Sequence, residues 1–454
     1  MSATVEETAE AEAQVVVKKA PRAVRIGICG LGTVGSGTVN VLARNGREIA
    51  VRCGRALVIE QIGARRDNAH CDTSQINVTR DIFDVANNPN VDILVELIGG
   101  TTVAKELVRT AIENGKHVVT ANKALIAEHG NELFELAAKH NVTIAYEAAV
   151  AGGIPIIKSL REGLVGNQVQ WLAGIINGTG NYILTEMREK GRSFDEALAQ
   201  AQALGYAEAD PTFDVEGIDA AHKLVIMASL AFAMPLAFDK VYTEGISRIC
   251  SEDIRYADEL GYRIKHLGIA RRTDKGVELR VHPTLIPQRR LIANVNGVMN
   301  AVLVSGDAVG PTLYYGAGAG DEATASAVIA DLVDVARTLE AKPEHRVPAA
   351  GVALADQGGT QVLPEEDVIT SYYLRIAAHD KPGVMSQVAT ICSDQGISIE
   401  ALIQHEPVEG EALVPVVILT SRADEASLRE AVAQIEALET VEGEVVRIRV
   451  ESLG

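Results

Sequence analysis

The stretch VRIGICGLGTVGSG, residues 24–37, decides how the first third of the chain is read. An apolar strand-like run closes on Gly30, and glycines at 30, 32 and 35 then open a helical pattern. In that context the glycines permit a tight turn, close approach of a pyrophosphate and close helix packing, while the first N–H groups of the helix face the anion. Glycine-rich turns also occur for purely structural reasons, so the spacing alone is weak evidence; its place between strand and helix gives it weight. Gly30, Leu31, Gly32, Thr33, Val34 and Gly35 are therefore candidate cofactor-binding residues.

Working outward, ALVIEQIGA, VDILVELIGG, KHVVTAN and NVTIAYEA follow as apolar strands separated by helix-length segments, the pattern of parallel βαβ units. Residues 23–155 read as a doubly wound, Rossmann-type domain. Its second strand ends in Gly63-Ala64-Arg65-Arg66, where a dinucleotide lacking a 2′-phosphate would want an acid. Arginine there favours NADP; Glu60, close by in sequence, keeps NAD open. Gly99 and Thr101, and Lys123 after KHVVTAN, lie at strand carboxyl ends, where α/β proteins bind ligands. A lysine opening a helix opposes the macrodipole, so an anion is expected beside Lys123.

Past Pro155, helical segments are followed by alternating runs such as GVELRVHPTLI and MNAVLVSGD, which predict an α+β domain over 156–309 with an antiparallel sheet. GAGAGDEATASAVIADLVDVARTL opens a long helix within 310–342, expected to complete the first domain, and the Gly- and Pro-rich 343–369 reads as a linker. Residues 370–454 run strand, DKPG turn, helix, strand, strand, helix, strand, the βαββαβ order of small regulatory domains.

Composition bounds the function. A chain of 454 residues exceeds one compact core. A net charge of −19 with no Lys/Arg-rich run leaves no footprint for nucleic acid. The 5 cysteines are odd in number and never in CxxC spacing, which excludes a disulfide framework or zinc site and fits a reducing cytoplasm. Residues 1–22 read as a solvated acidic tail, and the longest uncharged run, broken by Pro235, is too short for a membrane span.

That run follows GYAEADPTFDVEGIDAAHKL, residues 205–224, where Glu208, Asp210, Asp214, Glu216 and Asp219 precede Lys223. With a helix starting near Gly217, Asp219 and Lys223 stand at i and i+4 on one face and can hydrogen-bond. On a surface such a pair contributes about 0.3–0.5 kcal/mol; here the apolar continuation buries it. A buried lysine's pKa falls toward the working pH, which fits it for proton exchange while the aspartate orients it. Glu208 and Asp214 would suit a substrate ammonium.

These motifs, with EAAVAGGI, INGTGNYIL and YYGAGAGDEATASAV in the same order, resemble homoserine dehydrogenases of the monofunctional bacterial type, and DKPGVMSQVATICSDQGISIEALIQ resembles the start of an ACT domain. The resemblance implies reversible NAD(P)-dependent oxidation of L-homoserine to L-aspartate 4-semialdehyde. Lys223 and Asp219 correspond to its proton-handling pair, Lys123 to an active-site lysine, and Glu208, Asp214, Gly178 and Thr179 to substrate contacts. Gly318 joins the cofactor set. Glu147, Val150, Gly152 and Ile154 correspond to a loop holding Na+ or K+ largely through backbone carbonyls. A homodimer or homotetramer is implied, as is threonine as an effector at Asp380 and Gly383. Two competitors were weighed. An aspartate-semialdehyde dehydrogenase needs an activated cysteine at a strand or helix end, whereas Cys29 lies inside the first strand and Cys53 and Cys71 flank the second. A non-catalytic amino-acid sensor would not need Lys123, Asp219 and Lys223 intact.

Overall fold

The computed structural model describes residues 22–405 and 413–453. The expected acidic tail lies, apart from Arg22, outside them.

The first unit is a six-stranded parallel sheet. Along the chain run β1 (Val24–Cys29), α1 (Thr33–Cys53), β2 (Leu57–Gly63), β3 (Asn77–Thr79), α2 (Ile82–Asn87), β4 (Ile93–Glu96), α3 (Thr102–Glu113), β5 (His117–Thr120), α4 (Lys123–Lys139) and β6 (Ile144–Ala145). The spatial order is β3-β2-β1-β4-β5-β6, so the strand sequence reverses direction between β1 and β4 and opens a crevice at their carboxyl ends. Ile26, Ile28, Ile93 and Val95 are wholly buried because helices cover both faces, which is why these strands read as unbroken apolar runs.

The second unit follows with α5 (Ile156–Lys158), β7 (Val169–Ile175), α6 (Gly178–Lys190), α7 (Phe194–Ala203), α8 (Thr212–Val215), α9 (Ile218–Phe232), β8 (Tyr242–Thr243), α10 (Ser251–Glu259), β9 (Tyr262–Thr273), β10 (Gly276–Pro287), β11 (Met299–Gly306) and β12 (Gly310–Ala317). Helix α11 (Asp321–Thr338) then returns to pack on α1, where Gly37 sits so close to the Asp321 carbonyl that a Cβ would come within 2.6 Å. The segment 343–369 is more than a linker: Tyr146 donates to the Ala349 carbonyl at 2.5 Å, and Val277 exchanges main-chain bonds with Gln361 and Leu363, so it straps both units.

The C-terminal unit comprises β13 (Ile369–His379), α12 (Val384–Asp394), β14 (Ile399–Gln404), β15 (Leu413–Thr420), β16 (Ala423–Asp424), α13 (Glu425–Glu436) and β17 (Val446–Val450). Its sheet is continuous with that of the second unit, in the order β12-β11-β7-β9-β10-β17-β13-β15-β14. The joint is β17 lying parallel to β10, with Thr284 opposite Arg449 and Leu285 opposite Val450. Strand β17 is thus interior, and its arginine is matched by acids from both sides: Arg449 bonds Glu425, Glu365 and Glu244, each at 2.9 Å. Arg280 of β10 donates to Glu451 at 2.6 Å, as does Arg271 of β9.

Candidate active site

Three strand ends and one helix start form the crevice. Gly30 adopts φ +105°, and a Cβ there would meet the Leu97 carbonyl at 2.5 Å; a Cβ on Gly35 would strike the Gly30 carbonyl. No side chain caps α1, so its first N–H groups remain available to an anion. The cleft of about 930 Å³ is lined by Gly30, Leu31, Gly32, Arg65, Gly99 and Thr101, with Arg66 beside them. Glu60 is held by Arg25 at 2.5 Å and does not line it, whereas Arg65, Arg66 and Asp67 do. Thr33, Val34 and Gly35 form the first turn of α1, and Gly318 lies apart from the cleft lining, in the turn between β12 and α11 against Gly152 and Asn300.

Buried polar groups shape the same strand ends. The Glu96 carboxylate accepts from the Ile98 and Gly99 N–H groups at 2.9 and 3.1 Å and from Thr120 at 2.6 Å. Asn122 caps α4 through the Leu125 N–H and donates to the Gly100 carbonyl at 2.7 Å. The first residue of α4, Lys123, is thereby set beside the cleft.

Its anion is Asp219. Lys123 Nζ lies 2.8 Å from Asp219 Oδ1, and Lys223 Nζ lies 2.7 Å from Oδ2. Lys223 also donates to the Ile176 carbonyl at 2.7 Å. Glycine at 217 starts α9 with φ +83°, so Asp219 and Lys223 stand one helical turn apart on the face turned to α4 and β7. Burial alone would raise the Asp219 pKa; Lys223 and Lys123 outweigh it and hold the carboxyl well below the usual range. Burial, aided by Lys123, lowers the Lys223 pKa against the pull of Asp219. The result is a buried carboxylate shared by two ammonium groups, one of which is depressed toward the range where it can exchange a proton.

Asn177, which the sequence reading passed over, ties this centre to the acidic segment. Its Nδ2 donates to Asp214 at 2.7 Å and to Asp219 at 2.8 Å. The visible signal was its place before Gly178-Thr179 as an N-cap. Gly178 lies tight under the Val298 carbonyl, and Thr179 donates to the Tyr206 carbonyl at 2.7 Å, anchoring the loop that carries Glu208. Glu208 is exposed.

The remaining candidates lie elsewhere. Glu147 accepts from the Ile157 and Lys158 N–H groups at 2.9 and 2.8 Å, capping the helix start of 156–163. Its side chain is therefore committed, and no cluster of three His, Cys, Asp or Glu suited to a metal exists among the described residues. Asp380 and Gly383 form an open, exposed turn before α12, where Gly383 takes φ +96° and no side chain caps the helix. Cys29 is fully buried, and burial drives its thiol pKa up, the opposite of an activated nucleophile.

Residues 30–147 match the family model for the homoserine dehydrogenase NAD-binding domain, 155–333 that for homoserine dehydrogenase and 372–440 that for the ACT domain. The chain belongs to the homoserine dehydrogenase family. It is 65% identical to the homoserine dehydrogenase of Pseudomonas aeruginosa over 95% of this chain and 99% of that one. It is 54% identical to that of Neisseria gonorrhoeae, again over 95% and 99%. The crystal structure of a homoserine dehydrogenase from Thiobacillus denitrificans superposes with TM-score 0.91 at 56% identity, covering 95% and 99%. The activity is that of an oxidoreductase acting on a CH–OH group, interconverting L-homoserine and L-aspartate 4-semialdehyde with a nicotinamide cofactor. Among the described residues no helix is long and apolar enough to cross a membrane.

Proposed function

We propose that in this homoserine dehydrogenase Lys223, oriented by Asp219, takes the hydroxyl proton of homoserine in oxidation and returns it in reduction. The observation that carries the reading is the buried Asp219–Lys223 pair with the half-buried Lys123 on the other carboxylate oxygen. A bound nicotinamide dinucleotide supplies the hydride chemistry. The chain's own part is to hold the proton at Lys223 Nζ, to keep Asp219 ionised, and to place Lys123 as a fixed positive charge where negative charge grows on the reacting oxygen. Glu208 and Asp214 are assigned to the substrate ammonium, Gly178 and Thr179 to its carboxylate end. Turnover with Lys223 replaced decides the reading, as argued in the Discussion.

The preferred cofactor on this reading is NADP, because Arg65 and Arg66 line the cleft and Glu60 does not. Arg65→Ala with Arg66→Ala should raise KM for NADP about 10-fold or more while leaving KM for NAD within about 2-fold, since only the former carries a phosphate for a guanidinium. Equal effects on both cofactors would mean that the arginines merely edge the cleft.

Regulation by threonine at Asp380 and Gly383 rests on the ACT resemblance and on the uncapped start of α12, which can receive a carboxylate. Asp380→Ala in the full chain should weaken threonine inhibition with turnover unchanged; a parent enzyme indifferent to millimolar threonine removes the proposal. A monovalent cation in the 147–154 loop and a homodimer or homotetramer rest on the same resemblance. Activity retained in choline chloride, or a monomer by light scattering, would remove them in turn.

A further inference from the structure

The junction of β7 and α6 holds both halves of the ion pair. The Ile176 carbonyl accepts from Lys223 Nζ at 2.7 Å, and the next residue, Asn177, donates to Asp219 Oδ2 at 2.8 Å. The same Nδ2 donates to Asp214 Oδ1 at 2.7 Å, while Oδ1 accepts from the Gly180 N–H at 2.7 Å. Only one orientation of the amide satisfies all three bonds: reversed, its oxygen would face two carboxylates and its nitrogen an N–H donor. Asn177 is buried, so no water substitutes readily for its donors.

Two carboxylates brought to one small region repel unless something positive or donating lies between them. Asp219 has Lys223 from its own helix and Lys123 from α4. Among the described residues Asp214, on α8, has no ammonium within 4 Å; its side chain accepts from the Asn177 amide, with Thr179 and the Lys223 charge close by. Burial raises the Asp214 pKa; the Asn177 bond opposes that most strongly, the Asp219 charge adds to it, and Lys223 and Thr179 oppose it further. His222, beside Lys223 on α9, bonds Glu128 through Nε2 at 3.2 Å and stacks on Phe238, and contributes no bond to either aspartate.

We infer that Asn177 is a positioning residue: one amide clamps Asp219 and Asp214 and aligns Asp219 Oδ2 on Lys223, in addition to capping α6. The inference rests on the assignment of proton transfer to Lys223 and Asp219. Its own failure is separable from the failure of that assignment, because a Lys223 variant with parental turnover would overturn the assignment without touching Asn177.

The test uses two substitutions that keep the cap. Asp and Ser serve at an N-cap about as well as Asn, so Asn177→Asp and Asn177→Ser preserve the Gly180 bond; the first replaces the amide donor by a carboxylate, and the second by a hydroxyl whose single proton cannot serve both aspartates. Asn177→Ser should melt close to the parent, whereas Asn177→Asp, which sets a third carboxylate against Asp214 and Asp219, should melt lower. Turnover should fall about 100-fold for Asn177→Asp and about 10-fold for Asn177→Ser, the range expected when a hydrogen bond to a charged group is lost. The pH profile separates them further. A carboxylate at 177 adds negative charge near Lys223 and favours its ammonium, so the rise of kcat with pH in homoserine oxidation should move to higher pH in Asn177→Asp. In Asn177→Ser, which adds no charge, it should stay near the parental position. Parental turnover with an unmoved profile in Asn177→Asp would show that Asn177 only caps α6. If Asn177→Asp does not fold, Asn177→Ser decides alone: parental turnover refutes the inference, and a 10-fold loss at unchanged melting temperature supports it.

Discussion

Lys223→Ala is expected to lower kcat for homoserine oxidation by about 10²–10⁴-fold, the usual contribution of a positioned acid/base group. The protein should stay folded and bind cofactor as before. Lys223 is buried against Asp219 and the Ile176 carbonyl, but Asp219 keeps Lys123 and Asn177, so the variant leaves no carboxylate unpaired. Lys223→Met retains the apolar stem and isolates loss of the ammonium from loss of packing. Because the interaction is made in the transition state, kcat and kcat/KM should fall together.

The pH profile adds an independent check. In oxidation the lysine must be neutral to accept the proton, so the rate rises with pH through its pKa; in reduction it must be charged, and the rate falls. Burial and Lys123 lower that pKa from the ordinary lysine value, so the rise should be centred below about 10.4 in the parent. It should be absent in Lys223→Met. A variant that melts like the parent and turns over at near-parental rate would sink the assignment.

Much of this centre was legible because it follows local rules. Asp219 and Lys223 meet through helical spacing alone, and the turn at Gly30 carries its own geometric demand. The macrodipole argument called for an anion beside Lys123 without saying which; Asp219 comes from a helix 96 positions further on in sequence. Asn177 was missed because its role exists only once α6, α8 and α9 converge. Glu208 was named from the acidic run and from the resemblance, and it is exposed on the loop that Thr179 anchors. The regulatory unit read as a separate βαββαβ module, which is true of its order of elements and not of its sheet. VVRIRV, residues 445–450, alternates apolar and basic residues, a pattern that marks a strand without saying what lies opposite its arginines. The pairing of β17 with β10 leaves Arg449 only 4% exposed among acids.

That joint leads to the second large effect. Glu451→Ala is expected to destabilise the folded protein by about 3–5 kcal/mol, because it removes one partner from a buried ion pair rather than the whole pair. Arg280 is 1% exposed and would keep Glu278 alone, while Arg271 would lose its 2.6 Å bond. For a chain of 454 residues the melting temperature should drop by roughly 3–5 °C. Arg280→Met combined with Glu451→Gln removes both charges and should recover part of the loss, a coupling that a double-mutant cycle measures. The sign of the pH dependence follows from the acid: burial opposes ionisation of Glu451, but Arg280 and Arg271 outweigh it and hold its pKa below the ordinary value. Its contribution is therefore present above about pH 4.3 and is lost as pH falls through the depressed folded value. The gap in stability between parent and Glu451→Ala should narrow on acidification over that window. The same bonds explain why cutting the chain near Gln361 is a poor way to isolate regulation: it would strip β17 from β10 and expose Leu285 and Ile264, which share a core with Tyr373 and Ile448. Melting curves across pH 3–7 decide the matter, and a Glu451→Ala protein as stable as its parent would mean that the two sheets are joined by main-chain pairing and apolar packing, with the buried charges contributing nothing.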